Sequence, residues 1–144
     1  MMHTLFYRLG MVAILIAIAL LVYTFYLISF PKEVIHVNVQ PNKVLTPVVE
    51  QGGTLKFTFD YCRLHPYTST LSRTIRNDTF SFPLPSFETA GQTGCFVLDA
   101  HVPIPEGLPA GRYYLLSVNT TRINSFNTVV TQHETEWFEV VEKQ

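Results

Sequence analysis

The chain has 144 residues, of which 47% are hydrophobic and 15% charged, and its formal net charge is −1 at pH 7. This length suits one domain, and the near-neutral charge excludes a nucleic-acid binder that relies on bulk electrostatics. Residues 9–30 contain no charged residue, whereas all eleven acids and nine of the ten basic residues follow them. We therefore predict one membrane segment followed by one folded domain.

The uncharged run 9–30 is 22 residues long. At about 1.5 Å per residue, a helix of this length crosses a hydrocarbon core of about 30 Å. Arg8 and the amino terminus precede the run, so the positive-inside rule places residues 1–8 in the cytoplasm. Residues 31–144 are then a domain in the periplasm or outside the cell.

A cleaved signal peptide is the alternative to a membrane anchor. The apolar core of a signal peptide usually has about 7–15 residues and is followed by small residues. This run is longer and has aromatic residues at its far end, including Tyr23, Tyr26 and Phe30. We favour an uncleaved signal anchor in a single-pass protein. Ala13 and Ala17 have the small-xxx-small spacing that lets helices pack, so a homo-oligomer is possible.

Beyond the run, the hydrophobic period changes to two, which is typical of strands. All nine Pro residues lie here and leave little room for a long helix. The pattern predicts about seven short strands, an all-β domain with turns at a spacing typical of a sandwich. The candidate segments are 34–39, 44–49, 55–61, 71–76, 80–84, 96–102, 112–119 and 134–141.

Alternation within these segments also predicts which side chains face the core. In segment 80–84, Pro83 and the following Pro85 limit pairing, so we expect an edge strand. Gln51-Gly52-Gly53 is the turn that precedes the clearest strand. The predicted inner faces include Leu55, Phe57, Phe59 and Tyr61, then Tyr114, Leu116 and Val118, then Phe138 and Val140.

Residues 102–115 contain a Pro/Gly turn followed by Gly111-Arg-Tyr113-Tyr-Leu115. This Gly-x-Tyr-x-Leu pattern resembles the entry to strand F of immunoglobulin-like and fibronectin-like β-sandwich domains. The resemblance covers residues 33–142 at fold level and names no specific family. It implies an immunoglobulin-like antiparallel β-sandwich and, in general terms, a binding module. The chain lacks the core Cys…Trp…Cys arrangement of antibody domains, since its single Trp137 is near the C-terminus.

Cys62 and Cys95 are the only cysteines. Outside the cytoplasm a disulfide is expected, and the strand phase places both residues away from the core face. In the topology that the resemblance implies, Cys62 ends strand B and Cys95 begins the neighbouring strand E. The expected bridge is therefore a surface staple between adjacent strands. It would close a loop of about 34 residues and stabilise the domain by about 3–4 kcal/mol.

Catalytic and metal-binding alternatives have weaker support. Cys62-x-x-His65, with Cys95 and His101, offers metal-ligand residue types, but zinc sites usually have tighter paired spacings. Asp99 and His101 share a strand face, as an acid–base pair would, yet no nucleophile accompanies them. The chain has no recognised enzyme motif. We predict a non-enzyme without metal or cofactor, and keep an enzymatic or metal-handling domain as an alternative.

Two loops contain residue types that commonly anchor interfaces. They correspond to the B–C and F–G loops of an immunoglobulin-like sandwich, which lie at one end. The link from the anchor to the first strand would turn that end toward the membrane. The candidate contact residues are Arg63, His65 and Tyr67 in the first loop and Arg122, Ile123 and Phe126 in the second.

These features predict a membrane-anchored, non-catalytic binding or assembly module, an accessory subunit of an envelope or virion-membrane complex. A small phage- or host-encoded envelope factor that modulates another membrane protein is the alternative. The expected partners are the lipid bilayer and another membrane or envelope protein. Asn77 and Asn119 begin glycosylation sequons, which matter only where eukaryotic glycosylation operates.

Overall fold

The computed structural model describes residues 2–29 and 33–143. One helix, α1 (Met2–Ser29), precedes a part that is mostly β. The described part of α1 from Phe6 to Ser29 is a candidate membrane span by length and composition, and none of its most apolar stretch is buried in the protein. The predicted short tail is part of α1. The predicted boundary between the anchor and the domain, at Phe30 and residue 31, lies outside the described residues.

Ten strands follow the helix within residues 33–143, more than the seven predicted. Short strands lie mainly at the edges, and three long strands of ten or more residues carry much of the pairing. The strands are β1 (Ile35–Val37), β2 (Val48–Glu50), β3 (Thr54–Arg63), β4 (Ser69–Arg76), β5 (Ser81–Pro83), β6 (Phe87–Thr89), β7 (Gly94–Pro103), β8 (Gly111–Arg122), β9 (Thr128–Glu134) and β10 (Phe138–Val141).

The strands form two sheets. The first has the order β1-β3-β7 and is antiparallel throughout. The second has the order β2-β10-β8-β4-β5, and β6 pairs with β4 while β9 pairs with β8. Its β2–β10 pair is parallel, so the prediction of purely antiparallel sheets is wrong at this edge. The segment between β1 and β2 leaves the first sheet and joins the second, which brings β2 alongside the last strand.

The main core lies between the two sheets. It takes Leu55 and Phe57 from β3 and Val102 from β7, and it meets Leu115 from β8 and Phe138 from β10. All five side chains are buried. Because alternate residues of a strand face one side, this packing places the polar residues of β3 and β7 on the outer surface. The predicted inner residues Leu55, Phe57, Phe138 and Val140 are confirmed as core.

The predicted inner face of β8 is wrong. Tyr113 and Leu115 are buried together with three polar residues of the same phase, whereas the predicted Tyr114, Leu116 and Val118 are only partly buried. The buried polar residues are Ser117, Asn119 and Thr121. They make the core-facing side of β8 the more polar one, so hydrophobic alternation selects the opposite face.

Turn chemistry at the far end of the sheets follows the sequence closely. Gly52 has φ of 77°, a conformation that suits glycine, and the Gly53 amide donates to the Glu50 carbonyl at 2.8 Å. β5 ends at Pro83 and occupies an edge of the second sheet, as expected for a strand limited by proline. Two strands, β6 and β9, were not predicted as strands.

Candidate functional site

Cys62 and Cys95 form a disulfide. They lie directly opposite each other in the antiparallel β3–β7 pair, so the bridge joins neighbouring strands of one sheet, as predicted. Cys62 lies on the outer face near Asn38, whose side-chain amide donates to the Asp60 carboxylate at 2.6 Å. The bridge is therefore a surface staple, and it indicates folding in an oxidising compartment.

The disulfide removes both thiols from consideration as metal ligands. Within the described residues, no group of three or more His, Cys, Asp or Glu side chains is placed to hold a metal ion. Asp99 and His101 are both exposed on β7, and the Asp99 carboxylate accepts a hydrogen bond from the Thr58 hydroxyl at 3.2 Å. These contacts are those of a solvated strand face.

The first predicted contact loop, residues 63–69, is folded back on the domain at its start. Arg63 is only 5% exposed, and its guanidinium donates to the Tyr67 carbonyl at 2.7 Å. The His65 and Tyr67 rings lie 6.0 Å apart, and both residues are partly buried. Arg63 thus stabilises the loop internally, and of the three predicted contact residues only His65 and Tyr67 are partly accessible to a partner.

The second predicted contact loop, residues 121–128, contains a compact turn held by Asn124. Its side-chain oxygen accepts hydrogen bonds from the amides of Phe126 at 2.8 Å and Asn127 at 2.9 Å. Arg122 is exposed and Phe126 is 67% exposed, whereas Ile123 is partly buried. The turn therefore presents an aromatic and a cationic side chain from a rigid backbone.

A second, smaller apolar cluster brings the two loops together. Val34, Ile35 and Val129 form its buried centre, and Tyr67 and Ile123, one from each loop, pack against it. The cluster lies where the chain enters the first strand after α1. The two loops thus occupy one end of the domain, the end at which the helix joins it.

That end also contacts the helix directly. The Asn124 side-chain amide donates to the Leu27 carbonyl at 2.9 Å. The Leu27 carbonyl is one of the last four carbonyls of α1, which receive no hydrogen bond from an N–H of the same helix. Phe25 and Ile28 of the helix also face Val130 of β9 across an open groove. Asn124 therefore links the exposed Phe126 turn to the end of the apolar helix.

A cavity of about 240 Å³ lies between the two sheets. Phe57, Phe59 and Leu98 line it from the first sheet, and Phe87 and Arg73 line it from the second. Leu98 and Phe87 are 41% and 46% exposed, so they form a rim that opens to solvent between β7 and β6. The cavity is lined mainly by apolar surface, with a few polar groups on its inner wall.

Arg73 is an unexpected residue for that wall. It has the same strand phase as Leu71 and Ile75, which are both buried, so it lies on the core-facing side of β4. Its Nε is buried and has no hydrogen-bond partner among the described residues. The guanidinium carbon lies 5.3 Å from the centre of the Phe87 ring, within range of a cation–π interaction. Burial lowers the pKa of the Arg73 guanidinium.

His133 is the second unexpected residue of this wall, because histidine is more often exposed or only partly buried than fully buried. It is 3% exposed on β9, with Nδ1 at 2.8 Å from the Asn42 side-chain amide and its ring stacked on Phe59 at 4.5 Å. Burial, together with the nearby positive charge of Arg73, lowers the pKa of the His133 imidazole to about 4. The imidazole is therefore neutral at pH 7 and accepts the hydrogen bond from Asn42.

The sequence contains a weak signal for the burial of Arg73 but none for that of His133. Arg73 stands midway between Leu71 and Ile75, and the period-two rule places all three on one face. Nothing in the sequence marks His133, because the alternation does not predict the strand β9.

The two sequon asparagines differ in exposure. Asn119 is 4% exposed on β8. Asn77 is partly buried in a turn, where its side-chain oxygen accepts a hydrogen bond from the Phe80 amide.

No family model and no curated protein matches the chain. Among solved structures, it is similar to the alkylpurine DNA glycosylase AlkC of Pseudomonas fluorescens bound to DNA with an abasic site analog, at 13% identity and a TM-score of 0.43. It is also similar to a β-glucosidase from Listeria innocua in complex with glucose, at 10% identity and a TM-score of 0.33. These matches cover 81% and 74% of this chain but only 33% and 16% of those proteins. Likenesses of this strength carry no argument about function.

Proposed function

We propose that this chain is a single-pass membrane protein whose extracytoplasmic domain is a non-catalytic binding or assembly module. The domain would be an immunoglobulin-like sandwich, and the protein an accessory subunit of an envelope or virion-membrane complex. The observation that carries the proposal is the hydrogen bond between Asn124 and Leu27. It holds an exposed aromatic turn at the end of the apolar helix α1.

The strand pairing supports an immunoglobulin-like arrangement. β1, β3 and β7 correspond to strands A, B and E, and β4, β8 and the β9–β10 pair correspond to C, F and G. The parallel β2–β10 pair is what results when a first strand switches sheets to join the last. Tyr113, near the start of β8, donates its hydroxyl to the Pro109 carbonyl at 3.0 Å, as in the tyrosine corner of these sandwiches.

Location is supported by two independent features. α1 is long and apolar enough to cross a bilayer, and Arg8 near its start favours a cytoplasmic amino terminus. Disulfides such as Cys62–Cys95 form and persist mainly in oxidising surroundings, which supports a domain on the other side of the membrane. Both features agree with a signal anchor.

The contact surface would be the helix end of the domain. With α1 in a membrane, Phe126 and Arg122 lie near the headgroup level, where aromatic and cationic side chains suit both lipid and a neighbouring membrane protein. A soluble ligand would have better access to the opposite end, near Val48 and the turn at Gly52. We therefore favour a membrane or envelope protein as the partner.

Site-specific photocrosslinking in cells tests this proposal. A benzoylphenylalanine at Phe126 is expected to crosslink to an integral membrane protein. The same group at Val48, which is also exposed but lies near the far turn, serves as the matched control. Crosslinks from position 48 alone would contradict the proposal. Copurification at a fixed ratio supports a subunit, whereas a substoichiometric complex supports an envelope factor that modulates its partner.

A further inference from the structure

The cavity between the sheets contains a charge imbalance that the fold does not explain. Three positively charged or protonatable side chains line it: Arg63, Arg73 and His133. No Asp or Glu is among the residues that line it. Arg63 already donates to the Tyr67 carbonyl, and His133 is neutral and bonded to Asn42. Neither arginine has a carboxylate counter-ion among the residues that line the cavity, but only Arg73 also has a buried guanidinium N–H without a hydrogen-bond partner among the described residues.

Arg73 is partly buried, and even partial burial of a cation without a counter-ion destabilises a protein unless another group compensates. The Phe87 ring compensates in part, because its face attracts the Arg73 guanidinium at 5.3 Å. The Nε–H of Arg73 is nevertheless buried without an acceptor. An apolar residue at position 73 would pack with Leu71 and Ile75 at no such cost. The arginine is therefore suited to bind something that the chain itself does not supply.

The volume and the lining of the cavity indicate the size and the chemical class of such a ligand. A volume of about 240 Å³ equals about eight water molecules at about 30 Å³ each, which gives room for roughly ten non-hydrogen atoms. Phe57, Phe59 and Leu98 would surround an apolar body, and the guanidinium geometry matches a carboxylate. The opening between Leu98 and Phe87 provides a route of entry.

We propose that this cavity binds a small monocarboxylate with an aromatic or short aliphatic body, its carboxylate on Arg73 and its body between the Phe and Leu side chains. The proposed carboxylate contact, Arg73, is not part of the helix-end surface, although Arg63 of the first contact loop also lines the cavity. The existence of the site does not depend on the proposed function, and either proposal survives the failure of the other.

Fluorine NMR of the full chain in lipid nanodiscs tests the site. The probe is 4-fluorophenylacetate, and its neutral isostere 4-fluorophenylacetamide measures binding without charge. The carboxylate is expected to bind at least tenfold more tightly than the amide, because a charge-assisted hydrogen bond is lost in the amide. Equal binding of the two probes would overturn the proposal.

Three variants locate the binding. Arg73→Met keeps a long side chain but removes the charge, and it is expected to weaken carboxylate binding at least tenfold. Arg76→Met, on the exposed face of the same strand, is the matched control and is expected to leave carboxylate binding unchanged. Leu98→Trp narrows the opening and is expected to weaken both probes while Arg73 remains. Uptake of a given probe into lipid is the same for every variant, so it cancels when variants are compared with that probe, and empty nanodiscs measure it for each probe. Undiminished carboxylate binding by both Arg73→Met and Leu98→Trp would exclude the cavity.

Discussion

Protonation of His133 is expected to destabilise the domain as the pH falls below neutrality. The folded-state pKa of about 4 lies below the unfolded value of about 6.5. The unfolded chain therefore binds a proton more readily, and the stability contributed by the neutral imidazole is present above about pH 6.5 and is lost as the pH falls toward 4. His133 is buried against Phe59 and bonded to Asn42, so the folded state offers no easy hydration of the charge.

The size of the effect follows from the two pKa values. At pH 5 an unfolded histidine is nearly fully protonated, while folded His133 is still mostly neutral. Integrated from pH 7 to pH 5, the difference amounts to about 2 kcal/mol of unfolding free energy, and it approaches about 3 kcal/mol near pH 4. For a domain whose total stability is on the order of 5–15 kcal/mol, this is a measurable fraction.

Urea unfolding of the full chain in detergent measures this effect. The single Trp137, packed edge-on against Tyr114 at 5.0 Å, reports the unfolding of the β domain by fluorescence. Carboxylates also titrate in this range, so the informative quantity is the difference between proteins. His133→Gln is expected to lose about 2 kcal/mol less than the wild type between pH 7 and pH 5. His101→Gln, at an exposed position, is the matched control.

The result that would refute this reasoning is a parallel pH dependence in the wild type and His133→Gln. It would mean that His133 is protonated in the folded state, with water or Asn42 stabilising the charge. A weaker pH dependence of the unfolding free energy in the His101→Gln control would also contradict the reasoning, because the effect would then not belong to His133. The His133→Gln variant itself is expected to be less stable at pH 7, but only the change with pH decides the matter.

Two further predictions concern stability. Replacing Cys62 and Cys95 together by Ser is expected to lower the unfolding free energy by about 3–4 kcal/mol, because the bridge spans 33 residues of sequence. Reductant should lower the unfolding free energy of the wild type to that of the variant and leave the variant unaffected. Phe57→Ala is expected to cost about 3–5 kcal/mol, whereas Phe126→Ala, at the exposed turn, should change stability by no more than about 0.5 kcal/mol. Equal effects at positions 57 and 126 in the same urea titration would contradict the assigned packing.

The apolar helix, the disulfide and the strand of residues 55–61 were predictable because each depends on a local pattern. A long uncharged run, two cysteines and a strict alternation such as Leu55, Phe57 and Phe59 need no knowledge of distant residues. β8 shows where this reasoning fails. Its core face includes Ser117, Asn119 and Thr121, and the Thr121 hydroxyl is bonded to Ser69 at 2.6 Å. This hydrogen bond between residues far apart in sequence makes the burial of Thr121 tolerable, and alternation cannot reveal it.

The same limitation applies to the cavity. Arg73 lies on the core-facing side because Leu71 and Ile75 fix the phase of β4, yet a charged residue is normally assigned to the solvent side. β9 was missed because it begins within a segment rich in Thr and Asn and lacks a clear apolar alternation. His133 therefore went unnoticed as a buried group. Both residues are recognisable only once the two sheets are seen to face each other.

The hydrogen bond between Asn124 and the Leu27 carbonyl limits the orientations in which the domain can meet a partner. A domain on a flexible tether samples many attitudes above a membrane, and a partner must select one of them at an entropic cost. Here the turn is fastened to the last carbonyls of the helix, and only residues 30–32 separate the helix from the described part of the domain. On the proposed topology, the domain would present one side to the bilayer before any partner arrives. Association would then be a search in two dimensions with the orientation already set.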